Sequence, residues 1–353
     1  MRKKKATKLS SFFTRLNMDS LTHIALGACM GEAFAGKKLG KKAMLWGALA
    51  HSFPDIDFIA SFWMNTTGAL LAHRGLTHSL LFCILIAPLF ALAAKRWHKP
   101  YKIGFNRWLL FFLLAILSHI FIDAFNNYGV GWFEPFSHQR ISFNAIYVAD
   151  PFFSIWPFIA LIALLITKKN NAVRKKWWLA GLGLSTVYLA YCLFNKANIN
   201  RDVKDILRQE HIAYSSYFTT PAPLQNWLWF VVAGDSNGYH IGYRSVFDSK
   251  KEITFQYFLR NDSLLAPVKN HADVQQLVRF SQHLYTVENR NDTLEFNDLR
   301  FGQANGWENP TAYFAFHYFL QYPAQNKLVV QRGRFQGWTW QTIQSLAERI
   351  KGN

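Results

Sequence analysis

The chain has 353 residues and carries 39 Lys and Arg against 21 Asp and Glu, a formal charge of +18. That excess invites a nucleic-acid partner, but its distribution argues against one: residues 201–353 hold 16 basic and 14 acidic residues, and the surplus lies among long apolar runs, where membrane topology accounts for it. The three cysteines, Cys29, Cys83 and Cys192, fall inside apolar segments without framework spacing and read as small buried residues.

Residues 1–17 form a basic N-terminal extension with Arg2, Lys3, Lys4, Lys5, Lys8 and Arg15. The apolar stretch that follows contains His23 and Glu32 and lacks a small-residue cleavage site, so it is expected to be retained rather than removed as a signal peptide. Six apolar segments come next, at 20–36, 43–63, 76–94, 108–125, 150–167 and 177–194, several of them near the ~20 residues that span a bilayer. The first is short and rich in Gly and Ala, which fits a helix tilted or packed inside a bundle.

The loops between these segments alternate in charge. Lys37, Lys38, Lys41 and Lys42 fill the first, Lys95, Arg96, Lys99, Lys102 and Arg107 the third, and Lys168, Lys169, Arg174, Lys175 and Lys176 the fifth. The second and fourth hold one arginine each, Arg74 and Arg140. Fourteen against two places the odd loops inside and the even loops outside. Six crossings would then put residues 201–353 outside as well. A full crossing by 20–36 would leave the basic N-terminus outside, against the same rule; a re-entrant first segment would keep it inside.

Past residue 200 the pattern becomes aromatic and β-branched. Strands are expected at Asn226–Ala233, Tyr239–Phe247, Ile253–Leu259, Thr293–Phe301 and Ala312–Gln321, with helices near 271–283 and 338–351. The expected architecture is therefore a polytopic α-helical membrane domain over 18–195, with about six apolar helices, followed by a soluble α+β domain with an antiparallel sheet over 201–353.

The membrane half contains seven acids and seven histidines, and they interleave. Asp19 precedes His23 in DSLTH; His51, Asp55 and Asp57 make HSFPDID; His73 and His78 make HRGLTH; His119 and Asp123 make HIFID; His138 and Asp150 bracket the next loop. An ionised Asp in a membrane helix costs ~3 kcal/mol or more unless compensated. Asp55, Asp57 and Asp123 have no Lys or Arg in their own segments, and a divalent cation with imidazole co-ligands would offset their charge. His119 and Asp123, four apart on a helix, point to one spot. Pro54 disfavours helix at Phe53 and would turn Asp55 and Asp57 toward the same place. The topology puts all these motifs toward the outer face. His98 lies in a basic loop and reads as a solvated residue, and Asp19 as a helix cap.

At MDSLTH (18–23), HSFPDID (51–57), HRGLTHS (73–79) and SHIFID (118–123) the chain resembles the YdjM-like family of membrane-bound metal-dependent hydrolases, over about residues 18–160. That family is distantly similar to zinc-dependent phospholipases C and single-strand nucleases, whose HxxxD element His119 and Asp123 match. The resemblance implies phosphoester hydrolysis and a bacterial plasma membrane location; it implies nothing for the C-terminal domain.

The expected function is metal-assisted hydrolysis at the membrane–water boundary. The core ligands would be His51, Asp55, His73, His119 and Asp123, with His23 and His78 as further ligands. Asp57 could bridge, support a ligating histidine or act as general base. Arg74 and Arg140 are either a phosphate clamp or ordinary loop charges. Zinc suits mixed imidazole and carboxylate ligation best, with manganese or iron as alternatives. The expected partners are membrane lipids and an amphiphilic phosphoester, with no nucleic acid. Two other classes use the same residues: a proton- or metal-coupled transporter, and a membrane scaffold with a structural metal.

Overall fold

A computed structural model describes residues 18–268, 271–290, 293–320 and 338–352. The basic extension and the last residue of the expected strand 312–321 lie outside the described residues, as does the side chain of Asp19.

The N-terminal region is helical. Helix α1 spans Met18–Leu39, α2 Lys41–Ser52, α3 Thr66–Ala72, α4 Leu80–Trp97, α5 Phe105–Asp123, α6 Pro151–Ile166 and α7 Val173–Gln209. Short 3-10 helices cover Pro54–Phe62 and Leu76–His78. Six spanning helices were expected. Among the described residues, three are long and apolar enough to cross a membrane: α4, α5 and α7; α6 is apolar but shorter. The shortfall has local causes. Pro54 divides segment 43–63 into the 12 residues of α2 and a 3-10 helix because proline has no N–H to continue the helical ladder; Phe53 itself keeps helical geometry, where it was expected to leave it. Segment 20–36 is helical, but its small residues pack inside the bundle.

Helix α1 is central, packing on α2, α5, α6 and α7. Gly27 and Gly31 of α1 meet Gly47 of α2 backbone to backbone. A Cβ built on Gly47 would lie 1.9 Å from the Gly27 carbonyl oxygen, and one on Gly31 would lie 2.0 Å from that of Ala43. Such small-residue spacing lets membrane helices approach closely. Near the basic end, Arg174 donates to both oxygens of buried Glu32, at 2.8 and 2.6 Å, and so ties α7 to α1. Arg174 is thus a partner inside the bundle as well as a loop charge. The three basic loops meet there: Lys169 Nζ donates to the Lys38 carbonyl and Lys38 Nζ to that of Tyr101. His98, expected to be solvated, accepts a 2.8 Å bond from the Trp46 indole.

The C-terminal region is α+β with two antiparallel sheets where one was expected. Strands β1 (Ser216–Pro221), β2 (Leu228–Gly234), β3 (Gly238–Ser245) and β4 (Gln256–Leu259) form a meander. Strands β5 (Tyr285–Arg290), β6 (Thr293–Asp298) and β7 (His317–Phe319) form the second sheet. Helix α8 (Ala272–Phe280) packs on the second sheet, and α9 (Trp340–Ile350) joins the core of the first through Leu346. Strand β2 is buried on both faces. Trp229, Val231 and Ala233 meet Ile199, Val203 and Ile206 of α7, while Leu228, Phe230 and Val232 face the opposite core. The expected boundary at 195–201 falls within α7, which runs unbroken for about 55 Å from the apolar bundle onto this sheet.

Candidate metal centre

Four segments deliver the motif residues to one place at the end of the bundle away from the basic loops. His23 lies in the second turn of α1 and His51 near the end of α2; the α1–α2 glycine contact brings them together, with Nδ1 atoms 3.3 Å apart. Asp55 and Asp57 sit on the first turn of the 3-10 helix that Pro54 opens. His78 ends the short helix before α4, and His119 and Asp123 share the last turns of α5. His23, His51, His78, His119 and Asp123 are buried.

Two donor groups form. In the first, His23, His51 and His119 converge; in the second, Asp55, His78, His119 and Asp123 do, the donor atoms of each group lying within 4.8 Å of one another. His119 belongs to both. In the second group His78 Nε2 lies 3.1 Å from His119 Nε2, 3.3 Å from Asp123 Oδ2 and 3.7 Å from Asp55 Oδ1. His119 Nε2 lies 3.5 Å from Asp123 Oδ2 and 3.6 Å from Asp55 Oδ1. Tetrahedral ligands about 2.0–2.2 Å from zinc stand about 3.3–3.6 Å from one another, so these separations fit a four-donor cage. In the first group, His51 Nε2 and His119 Nδ1 are buried with no hydrogen-bond partner among the described residues. Each such atom costs about 1–3 kcal/mol unless an ion or water satisfies it.

Other residues hold the donors in place. Asp57 Oδ2 lies 3.4 Å from His78 Nδ1 and accepts the Arg74 backbone N–H at 2.8 Å; its Oδ1 lies 3.1 Å from His73 Nδ1. Asp57 is thus placed behind His78, one of the three roles open to it. His23 Nε2 lies 3.1 Å from Asp123 Oδ1. Arg74 is buried, with Nε 3.2 Å from Asp123 Oδ2, Nη1 donating to Asn126 Oδ1 at 2.7 Å, and its guanidinium over the Tyr128 ring. Its φ of 59° is a left-handed conformation that costs a non-glycine residue about 1–2 kcal/mol, and these contacts hold it there.

Two expected site residues stand apart from the cage. His73 is outside both donor groups, with its side chain 40% exposed and its ring on Asp57. Arg140 donates to the carbonyls of His73, Gly129 and Leu71, binding two loops together. Burial, and then the charges of Arg300 and Arg279, push its pKa down to about 10. Outside the cluster, His138 pairs with Glu134 at 2.8 Å, and Asp150 caps α6 and accepts from Tyr188 Oη at 2.9 Å. Asn126 and Thr77, whose hydroxyl faces Asp57 Oδ2 at 3.4 Å, were not singled out from the sequence. The polar pair Asn126–Asn127, separated from the HIFID run by two residues, is the signal that marks the first.

The α+β region rests on the loops that carry these residues. Thr67 of α3 and Asn65, its N-cap, donate to Asp273 of α8, and Asn127 Nδ2 donates to the Arg300 carbonyl at 2.6 Å. Tyr128 packs edge-on against Phe301, with centroids 4.8 Å apart.

Residues 18–199 match the family model described as YdjM inner membrane protein. Inner membrane protein YbcI of Escherichia coli (strain K12) is 27% identical over 150 residues, covering 42% of this chain and 79% of its own length. Uncharacterized protein YfhP of Bacillus subtilis (strain 168) is 33% identical over 157 residues, covering 42% of this chain and 46% of its own, so the match spans about half of that relative. No solved structure matches. With its motif-bearing half matched from end to end, the chain belongs to the YdjM family of inner membrane proteins.

Proposed function

We propose that the chain is a multi-pass, metal-dependent hydrolase that cleaves a phosphoester of a lipid-like substrate, with zinc as the preferred metal. The observation that carries the metal is the spacing of His78 Nε2 and His119 Nε2 from each other and from Asp55 Oδ1 and Asp123 Oδ2, at separations of 3.1–3.7 Å that fit one small cation. His23 and His51 with His119 offer a second, neighbouring set. Phosphoester cleavage rests on the His119–Asp123 element and its likeness to zinc phospholipases and nucleases. When bound, such a cation supplies Lewis-acid polarisation of a phosphoryl oxygen and a water acidified toward neutrality.

The chain's own residues complete the chemistry. Thr77 Oγ1, 3.0 Å from His78 Nδ1, and Asp57 Oδ2, at 3.4 Å, hold the His78 ring from its Nδ1 side, so that Nε2 faces the other donors. Arg74 offsets the buried charge of Asp123. Asp55, 24% exposed, is the one partly exposed member of the four-donor set and marks its mouth. His73 stands at that mouth with Nδ1 held by Asp57, which leaves Nε2 available to carry a proton to or from a leaving group. The three basic loops at the opposite end favour a reading in which the site and the α+β region face the outer side of the membrane.

Turnover of a chromogenic phosphoester panel by the purified, zinc-supplied protein tests the assignment. Activity is expected for the wild type and its loss in Asp55→Asn. No turnover, together with proton or metal flux across sealed vesicles, would move the assignment to transport.

A further inference from the structure

The mouth of the site is surrounded by exposed apolar side chains. On the 3-10 helix Pro54–Phe62, residues three apart lie on one face, so Phe58 stands directly above Asp55. Phe58, Phe62, Trp63 and Met64 are all exposed. Leu76, three residues past His73, is exposed too, and Phe136 is 83% exposed. These groups belong to one rim. Gly131 N donates to the Arg74 carbonyl and Leu80 N to that of Trp132, which holds the Phe136 loop against the His73–His78 turn. Thr77 faces Asp57 and ties that turn to the 3-10 helix.

We propose that this rim lies in the interfacial layer of the bilayer, so that the site opens at lipid-headgroup depth and is reached from the leaflet. Three observations fix the occupant as lipid. First, the rim continues the lipid-facing surface of the helices: exposed Leu114, Leu117 and Phe121 line α5, and Phe121 stacks on Trp132 of the rim loop, with centroids 6.2 Å apart. Second, the other edge of the rim is a polar junction, where Asn65, next to Met64, donates to Asp273 of the α+β region. The rim therefore occupies the level between the membrane-crossing surface and the water-facing domain, where Trp and Phe side chains gain most from the amphipathic interface. Third, the rim carries no lysine, and Glu134 of its loop is paired with His138 and Arg279, whereas the loops at the other end of the bundle are dense in lysine. Granting the hydrolase reading above, the substrate is then a lipid whose phosphate reaches Asp55 while its acyl chains stay in the bilayer. The depth of the rim does not depend on that reading.

Fluorescence quenching in proteoliposomes tests the depth. Single cysteines at Phe58→Cys, Trp63→Cys and Phe136→Cys, with Lys250→Cys as the aqueous control, would carry an environment-sensitive label in full-length protein; Cys29, Cys83 and Cys192 are buried. The vesicles would be phosphatidylcholine and phosphatidylglycerol with a fraction of lipid nitroxide-labelled near the headgroup. The label at 58, 63 and 136 is expected to lose most of its emission to the nitroxide lipid and little to aqueous iodide, with the reverse at 250. Iodide quenching at the rim equal to that at 250 would overturn the proposal. Protection from both quenchers would overturn it too, in favour of a second copy of the chain covering the rim. Because the readout needs no catalysis, an inactive but lipid-quenched protein would reject the hydrolase reading alone.

Discussion

Asp123 shows how many demands one side chain meets. One oxygen faces His23, while the other faces Arg74, His78 and His119. An ionised carboxylate at such depth persists only when it is this fully surrounded. Asp57 works one layer out, and its effect should be graded rather than absolute. Asp57→Asn keeps the shape but weakens the hold on His78, and outer-shell changes of this kind lower metal affinity about 10–100-fold. Competition against a fluorescent zinc chelator checks this; unchanged affinity would remove Asp57 from the site. His73 makes a contrasting case. Ligand chemistry and motif position grouped it with the other histidines, but the chain turns at Arg74, whose backbone is left-handed, and His73 lies partly exposed on Asp57 while His78 is buried. A local backbone reversal of that kind has no signature in HRGLTH beyond the glycine.

At the scale of elements, the site depends on how closely α1 and α2 cross. The Gly/Ala content of segment 20–36 pointed to packing within a bundle; that Gly27 and Gly31 would meet Gly47 of α2 was not read from the sequence. Gly47→Ala places a methyl group 1.9 Å from the Gly27 carbonyl oxygen, so the helices must part. Overpacking of this kind costs about 1–3 kcal/mol. The expected result is a lower melting temperature in detergent together with weakened zinc retention, since His51 follows on the same helix. A loss of stability with full zinc retention would show that the crossing does not position the donors. Strand β2 was legible because burial on both faces makes NWLWFVVA a continuous apolar run. Strand β1 was not, since SYFTTP mixes hydroxyls with a terminal proline, and β5 was hidden by the charged end of YTVENR.

Across the whole molecule, polarity runs along one axis. Basic loops gather at one end of the bundle, and the His/Asp cluster and the α+β region gather at the other. The charge asymmetry and the motif placement were both legible in the sequence. The count of long helices was not: hydropathy took 43–63 as one segment although Pro54 marks a break in it, and it does not register the short reach of α6. The proposed topology makes a direct prediction. In intact spheroplasts, an impermeant maleimide is expected to label Lys250→Cys and to leave Lys99→Cys unlabelled until the cells are opened. Labelling of Lys99→Cys from outside would invert the assignment. The loop–domain contacts also link the α+β region to the site, through Phe301 on Tyr128 and Tyr128 under Arg74. The central claim remains the cation itself. Elemental mass spectrometry of detergent-purified wild type, supplied with metal and never exposed to chelator, should find near-stoichiometric zinc that is lost in the His119→Ala/Asp123→Ala double variant; absence of metal from the wild type, or equal metal in both proteins, would contradict the account.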